Sequence, residues 1–164
     1  MSMNQDTITF HQLHTKYADD VYRFSFWLTG DADEANDITS ETFVRIWTST
    51  KEIRVESVKA YLFTIARNLF LHGKRRKKKM TSLDETIQDT AAQPDTVAEV
   101  RSELDEAWKA LQTLPEIDRT VFIMRVEEEL SYEDIALAVG LSVTAVKVKV
   151  FRARAKIYAF TQQT

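Results

Sequence analysis

Apolar residues return every three or four positions through nearly the whole chain, and this period restricts the fold more than any other feature. Phe10, Leu13, Tyr17, Val21, Phe24 and Leu28 form the first stripe, enough for an amphipathic helix of about five turns. Gly30 ends it, and Asp31 is placed to cap the next helix, because a left-handed residue closes a helix and a short acidic side chain opens one. That second helix, about 32–48, puts Ala35, Ile38, Thr42, Phe43 and Ile46 on one side and Glu34, Asp37 and Glu41 on the other. After the polar stretch TSTKEIRVES, Ser57 can cap a third helix, about 58–74. Its expected core stripe is Val58, Leu62, Ile65 and Leu69, and it leads into the basic cluster GKRRKKK. Three glycines and two prolines in 164 residues leave few breaks, and strand-like alternation is scarce, so the expected fold class is all-α.

The period lapses over 80–97, MTSLDETIQDTAAQPDTV, which contains Pro94. This reads as a flexible acidic linker between two small helical domains, 8–79 and 98–161. In the second, Val100, Leu104, Ala107, Trp108 and Leu111 build a helix that Leu114-Pro115 breaks. Pro115 suits the start of a further helix carrying Val121, Phe122 and Met124, since its missing N–H would lack a helical partner there anyway. Ser131 with Asp134 makes a capping-box variant ahead of a short helix, 132–138, with Ile135, Ala136 and Val139 inward. Gly140 supplies a turn, and Ser142 caps a last helix with Val143, Val146, Val150, Ala153 and Ile157 as its buried stripe. Two helices joined by a short glycine-containing turn form a helix-turn-helix.

Charge is unevenly spread. The net charge is −3, but residues 1–79 carry +3, residues 80–130 carry −9 and residues 131–164 carry +3. Binding responds to the local field rather than the total, so an acidic chain with basic ends remains compatible with nucleic acid. The absence of cysteine excludes disulfides, thiolate metal sites and a cysteine nucleophile. The start, MSMNQDTITFHQ, lacks the pattern of a signal peptide, and no apolar run approaches the roughly 20 residues of a membrane span. A cytoplasmic location is expected. Gly-rich phosphate loops and a Ser-His-Asp order are missing, so the expected protein is not an enzyme. His11 and His14 have metal-ligand spacing, but no further His or Cys joins them, and no metal or cofactor is expected.

At about 100° per residue, Thr144, Val148, Phe151, Arg152 and Ala155 lie opposite the core stripe of the last helix, with Lys147 and Arg154 on one flank and Lys149 and Lys156 on the other. A narrow, partly apolar face edged by cations suits the DNA major groove: the edges meet phosphates and the centre meets bases. The third helix is expected to face outward with Phe63, Arg67, Phe70 and Lys74, followed by Arg75, Arg76, Lys77, Lys78 and Lys79. Exposed aromatics among cations can stack unpaired bases. Alternatively, Phe63 and Phe70 pack on a neighbouring helix and the basic run is a tail. By itself the Glu34, Asp37, Glu41 face reads as ordinary solvated surface.

Three segments together resemble the extracytoplasmic-function (ECF) branch of the sigma-70 family of bacterial transcription initiation factors. ANDITSETFVRIW, 35–47, is similar to the region 2.2 pattern Ala-Glu-Asp-Leu-Val-Gln-Glu-Thr-Phe. AYLFTIARNLFLHGKRR, 60–76, is similar to regions 2.3–2.4, which end in Ile-Ala-Arg-Asn and a basic stretch. LPEIDRTVFIMRVEEELSYEDIALAVGLSVTAVKVKVFRARAKI, 114–157, resembles region 4 nearly throughout. Asn36, Thr39 and Ser40 depart from the first pattern, Leu71-His72 from the second, and Val148 replaces a commonly small polar residue. The resemblance implies that core RNA polymerase is a partner, through its β′ clamp helices and β flap, with Glu34, Asp37 and Glu41 at the clamp. It also implies promoter DNA, with Phe63, Arg67, Asn68, Lys74, Arg75 and Arg76 at the −10 element and the loop 49–57 holding a flipped base. Thr144, Lys147, Val148, Lys149, Phe151, Arg152 and Arg154 would serve the −35 element. An anti-sigma factor is a further implied partner; a small-molecule substrate and membrane insertion are not. A stand-alone helix-turn-helix regulator would account for 131–157 but not for the acidic and aromatic-basic helices.

Overall fold

The computed structural model describes residues 9–49, 58–83 and 101–162, with the side chains of 81–83 and 101–104 left aside. Ser57, the loop after Ser49 and the acidic stretch after Leu83 lie outside the described residues. Among those described there are seven helices: α1 Phe10–Thr29, α2 Ala32–Thr48, α3 Val58–Leu83, α4 Arg101–Gln112, α5 Glu116–Val126, α6 Tyr132–Val139 and α7 Val143–Gln162.

Local chemistry sets most of the ends. Thr9 and Gln12 form a reciprocal capping box at the start of α1, and Gly30 closes that helix at φ 69. The Asp31 carboxylate accepts from the N–H groups of Asp33 and Glu34, satisfying donors that have no partner within α2. Ser131 caps α6, Gly140 ends it at φ 71, and the Ser142 hydroxyl accepts from Ala145 N–H at the start of α7. The α6–turn–α7 pair is therefore the expected helix-turn-helix.

Helices α1, α2 and α3 pack on one another, as do α4, α5, α6 and α7. The α1 stripe is buried as expected at Leu13, Tyr17, Val21, Phe24 and Leu28, and α2 buries Ala35, Ile38, Thr42, Phe43 and Ile46. The two groups also touch, α3 against α6 and α1 against α5.

Helix α3 departs from expectation in two ways. It continues to Leu83 instead of stopping near 74, so the basic cluster and the first residues assigned to the linker are helical. Its buried face is Val58, Leu62, Phe63, Ala66 and Phe70, whereas Ile65 and Leu69 are half-buried. The stripe is rotated because α3 is covered on more than one side, by α1 and α2 and also by α6.

Candidate nucleic-acid interface

The buried line of α7 is Val146, Val150 and Ala153. It faces α4, α5 and α6 and turns the opposite side of the helix to solvent. There Thr144, Lys147, Val148, Arg152 and Arg154 are exposed, and Phe151 is 74% exposed. A phenylalanine this open, between cations, fits the apolar centre of a groove-reading surface. Lys147 Nζ lies 5.4 Å from the centroid of the Tyr132 ring, whose face the Arg125 guanidinium also covers at 4.3 Å. Lys149 differs from its flank-mates: its ammonium donates to Asp118 of α5 at 2.8 Å and the side chain is half-buried. It braces the last helix against α5 in this structure.

The α3 surface needs a larger correction. Phe63 is fully buried, its ring stacked on Phe24 with centroids 4.6 Å apart, so it offers no face to a base. Phe70 is also buried, with Lys74 Nζ and the Arg119 guanidinium over its ring. Of the two alternatives for these aromatics, packing against neighbouring helices is the one realised. Asn68, Lys74, Arg75 and Arg76 are exposed. Arg67 is turned instead toward Glu116, donating from Nε at 2.9 Å and from Nη2 at 3.1 Å. Glu116 also accepts from the Thr120 hydroxyl at 2.7 Å. Burial alone would raise the Glu116 carboxyl, but these donors and the nearby Arg67 and Arg119 charges outweigh it and hold the group below its ordinary value. Arg119 is pushed down by its burial, partly offset by Glu116.

On α2, Asp37 and Glu41 are exposed, Glu41 beside Arg45 at 3.5 Å. Glu34 is half-buried and accepts from Lys77 at 3.3 Å, linking the acidic face to the end of α3. Beside them Val44 and Trp47 are exposed apolar groups, which the periodicity had not marked. His11 and His14 are both exposed, and His14 lies edge-on against Phe43 with centroids 4.8 Å apart. No cluster of metal-ligating side chains occurs among the described residues.

Residues 13–80 match the family described as "Sigma-70 region 2", and residues 104–157 match "Sigma-70, region 4". The ECF RNA polymerase sigma factor EcfG of Rhodopseudomonas palustris is 34% identical over 139 residues, covering 83% of this chain and 76% of that one. The chain belongs to the ECF sigma factors. SigM of Bacillus subtilis is 29% identical over 157 residues, covering 93% of this chain and 94% of the relative. The fold also matches that of the sigma factor RpoE, solved in complex with the anti-sigma factor NepR from Bartonella quintana. That match has a TM-score of 0.75 and 24% identity, and it covers 93% of this chain and 96% of the other.

As a sigma factor the protein is a transcription initiation factor, not an enzyme. Region 2 and region 4 domains bind core RNA polymerase and the −10 and −35 promoter elements. In this sigma factor a cluster that sequence reasoning missed ties the α1–α3 group to the α4–α7 group. The Glu128 side chain is 0% exposed and accepts from Arg23 Nε and Nη2, each at 3.0 Å. Lys59 Nζ lies 3.5 Å from the same carboxylate and donates to the Glu128 carbonyl oxygen at 3.1 Å. Asp20 neighbours both cations, and the Glu128 hydrogen bond holds Arg23 above its ordinary value against the opposing effect of burial. Arg23 and Glu128 stand 105 positions apart, so no periodicity could have paired them.

Proposed function

We propose that this sigma factor directs core RNA polymerase to its promoters by reading the −35 element through the outward face of α7. Thr144, Val148, Phe151 and Arg152 would face base edges, and Lys147 and Arg154 the phosphates. The carrying observation is the exposed, apolar-centred cationic face of a helix held at a set angle by the Gly140 turn. Asn68, Lys74, Arg75, Arg76 and Arg67 would meet the −10 element. Asp37 and Glu41, with the adjoining Val44 and Trp47, would dock on the β′ clamp helices. Phe63 drops out of the DNA-facing set because it is core.

With Lys149 engaged by Asp118, four cations of α7 are left to meet DNA, counting Arg152. The corresponding salt slope is at most about −3.6, and the acidic centre of the chain opposes even that. Alone, the protein would hold promoters feebly. On the polymerase, two weak modules at fixed spacing gain about 10²–10⁴-fold in effective concentration. The site of action is the cytoplasm, with the polymerase. An anti-sigma factor, of the kind seated on the RpoE structure, is a proposed partner here too.

The test is run-off transcription from promoters whose start sites appear on overexpression, with and without core polymerase. Initiation that needs both components supports the reading. Nanomolar, polymerase-free binding to a palindromic operator would replace it with a stand-alone regulator.

A further inference from the structure

The five cations of α7 are not equivalent. Lys147, Arg152, Arg154 and Lys156 are exposed, whereas Lys149 is half-buried. Its ammonium donates to the Asp118 carboxylate at 2.8 Å, with the two side chains 29% and 18% exposed. Among the described residues, Lys149 is the one α7 cation held in an ion pair. Asp118 stands in the first turn of α5, 31 positions earlier, and α5 packs on α7. Fully exposed ion pairs hold little, but a close pair partly shielded from water is screened much less by salt. A lysine stem is flexible enough to carry its ammonium elsewhere. The carboxylate, rather than the helix, therefore decides where this charge sits.

Lys149 directly follows Val148 and lies on the flank of the face formed by Thr144, Val148, Phe151 and Arg152. Released, its ammonium would meet the phosphate wall beside the major groove. Held by Asp118, it adds nothing to backbone binding. It fixes instead a second point on α7, beyond the start that the Gly140 turn sets. Phosphates are alike at every sequence, so a cation that reaches them strengthens all complexes, right and wrong. Base contacts need one register, which a braced helix supplies.

We propose that Asp118 is a specificity-determining residue of this sigma factor: it withholds Lys149 from the DNA backbone and turns that charge into a brace between α5 and α7. Asp118 touches no base and acts through Lys149, so it is a positioning residue. The inference rests on the −35 reading of α7 given above. One phosphate contact changes the salt slope by about 0.9; taken as negligible at 1 M salt, it amounts to about eightfold in affinity at 0.1 M. Asp118 lowers binding to arbitrary DNA by that factor and leaves the base-reading side chains in place.

The test measures the full-length chain on a labelled duplex of arbitrary sequence, by fluorescence anisotropy from about 0.05 to 0.2 M salt. The variants are Asp118→Asn, Lys149→Gln and the two combined. Glu127→Gln, exposed at the far end of α5, is the control for the loss of one acid. Asp118→Asn should steepen the slope by about 0.9 and tighten binding about eightfold at 0.1 M salt. Lys149→Gln, the double variant and the control should keep the wild-type slope. Polymerase holoenzyme reconstituted with each variant is then compared on a promoter and on a copy with an altered −35 element. Discrimination should fall in both single variants and survive in Lys149→Arg, which can keep the pair.

A slope shallower by about 0.9 in Lys149→Gln means that Lys149 already rests on phosphates, and overturns the proposal. So does an unchanged slope in Asp118→Asn, or an equal steepening in Glu127→Gln, which would reduce the effect to net charge. Discrimination that is unchanged in both single variants overturns the brace. Should Asp118→Asn unfold, the slope of Lys149→Gln decides alone. Arg152→Ala in the same holoenzyme assay reports on the α7 reading itself, so failure of that reading is distinguished from failure of the role given to Asp118.

Discussion

Phe63→Ala separates a core role from a base-stacking role, because the two predict effects in different assays. Phe63 is fully buried and stacks on Phe24 at 4.6 Å with the ring planes 21° apart. Truncation removes a whole ring from a closed site and leaves a cavity that the surrounding helices only partly fill. Such changes cost about 3–5 kcal/mol, of which roughly 0.5–1.5 kcal/mol is the aromatic pair itself. For a chain of this size each kcal/mol lowers the melting temperature by about 2–4 °C. Thermal unfolding followed by circular dichroism should therefore fall by roughly 6–20 °C. Phe63→Leu keeps most of the apolar volume and should lose only a small part of that. If Phe63 served a flipped base instead, truncation would leave the melting temperature alone and weaken single-strand binding by about 1–3 kcal/mol. Melting within about 2 °C of the wild type, together with a promoter-opening defect, would refute the burial reasoning.

The remaining predictions concern the surfaces and the joints. Arg152→Ala should cost about 1–3 kcal/mol of discrimination at one −35 position while co-purification with core polymerase stays at the wild-type level; normal selectivity would remove Arg152 from the reading face. Asp37→Lys with Glu41→Lys should weaken polymerase binding in a pull-down, and unchanged recovery would detach the acidic face from that role. Gly30→Ala and Gly140→Ala each force a side chain into the left-handed region, at about 1–2 kcal/mol. Only Gly30→Ala also drives a methyl into Trp108, whereas a Cβ at Gly140 meets open space; urea titration should show the former to be the more damaging. Glu116 has a folded-state value below its ordinary 4.5, so its contribution is present above that pH and fades as pH falls through the lowered value. The melting-temperature gap between wild type and Glu116→Gln should accordingly hold steady above pH 5 and close on acidification; a gap that widens in acid would contradict the assignment.

Sequence alone determined the helical fold, the order of the helices and the turn between α6 and α7. Those features are local: caps such as Thr9, Asp31, Ser131 and Ser142 bond to N–H groups within three residues, and the α1 stripe needs only one covered side. The outward face of α7 was legible for the same reason, since its core side is a single line of Val146, Val150 and Ala153. The roles given to Asp37, Glu41 and the −10 residues came from family resemblance, because a solvated acidic or basic face has no period that announces a partner. Tertiary structure decided what happens where a helix has several neighbours. Helix α3 is covered from more than one direction, so Phe63 and Phe70 are core although a one-sided reading turns them outward. Likewise Arg67, Lys149 and Arg23 are cations whose partners, Glu116, Asp118 and Glu128, come from distant parts of the chain. A charge finds its counter-ion through space, and only tertiary packing brought those pairs within bonding distance: Arg67–Glu116 and Arg23–Glu128 between the two helical groups, Lys149–Asp118 between α7 and α5 of the second.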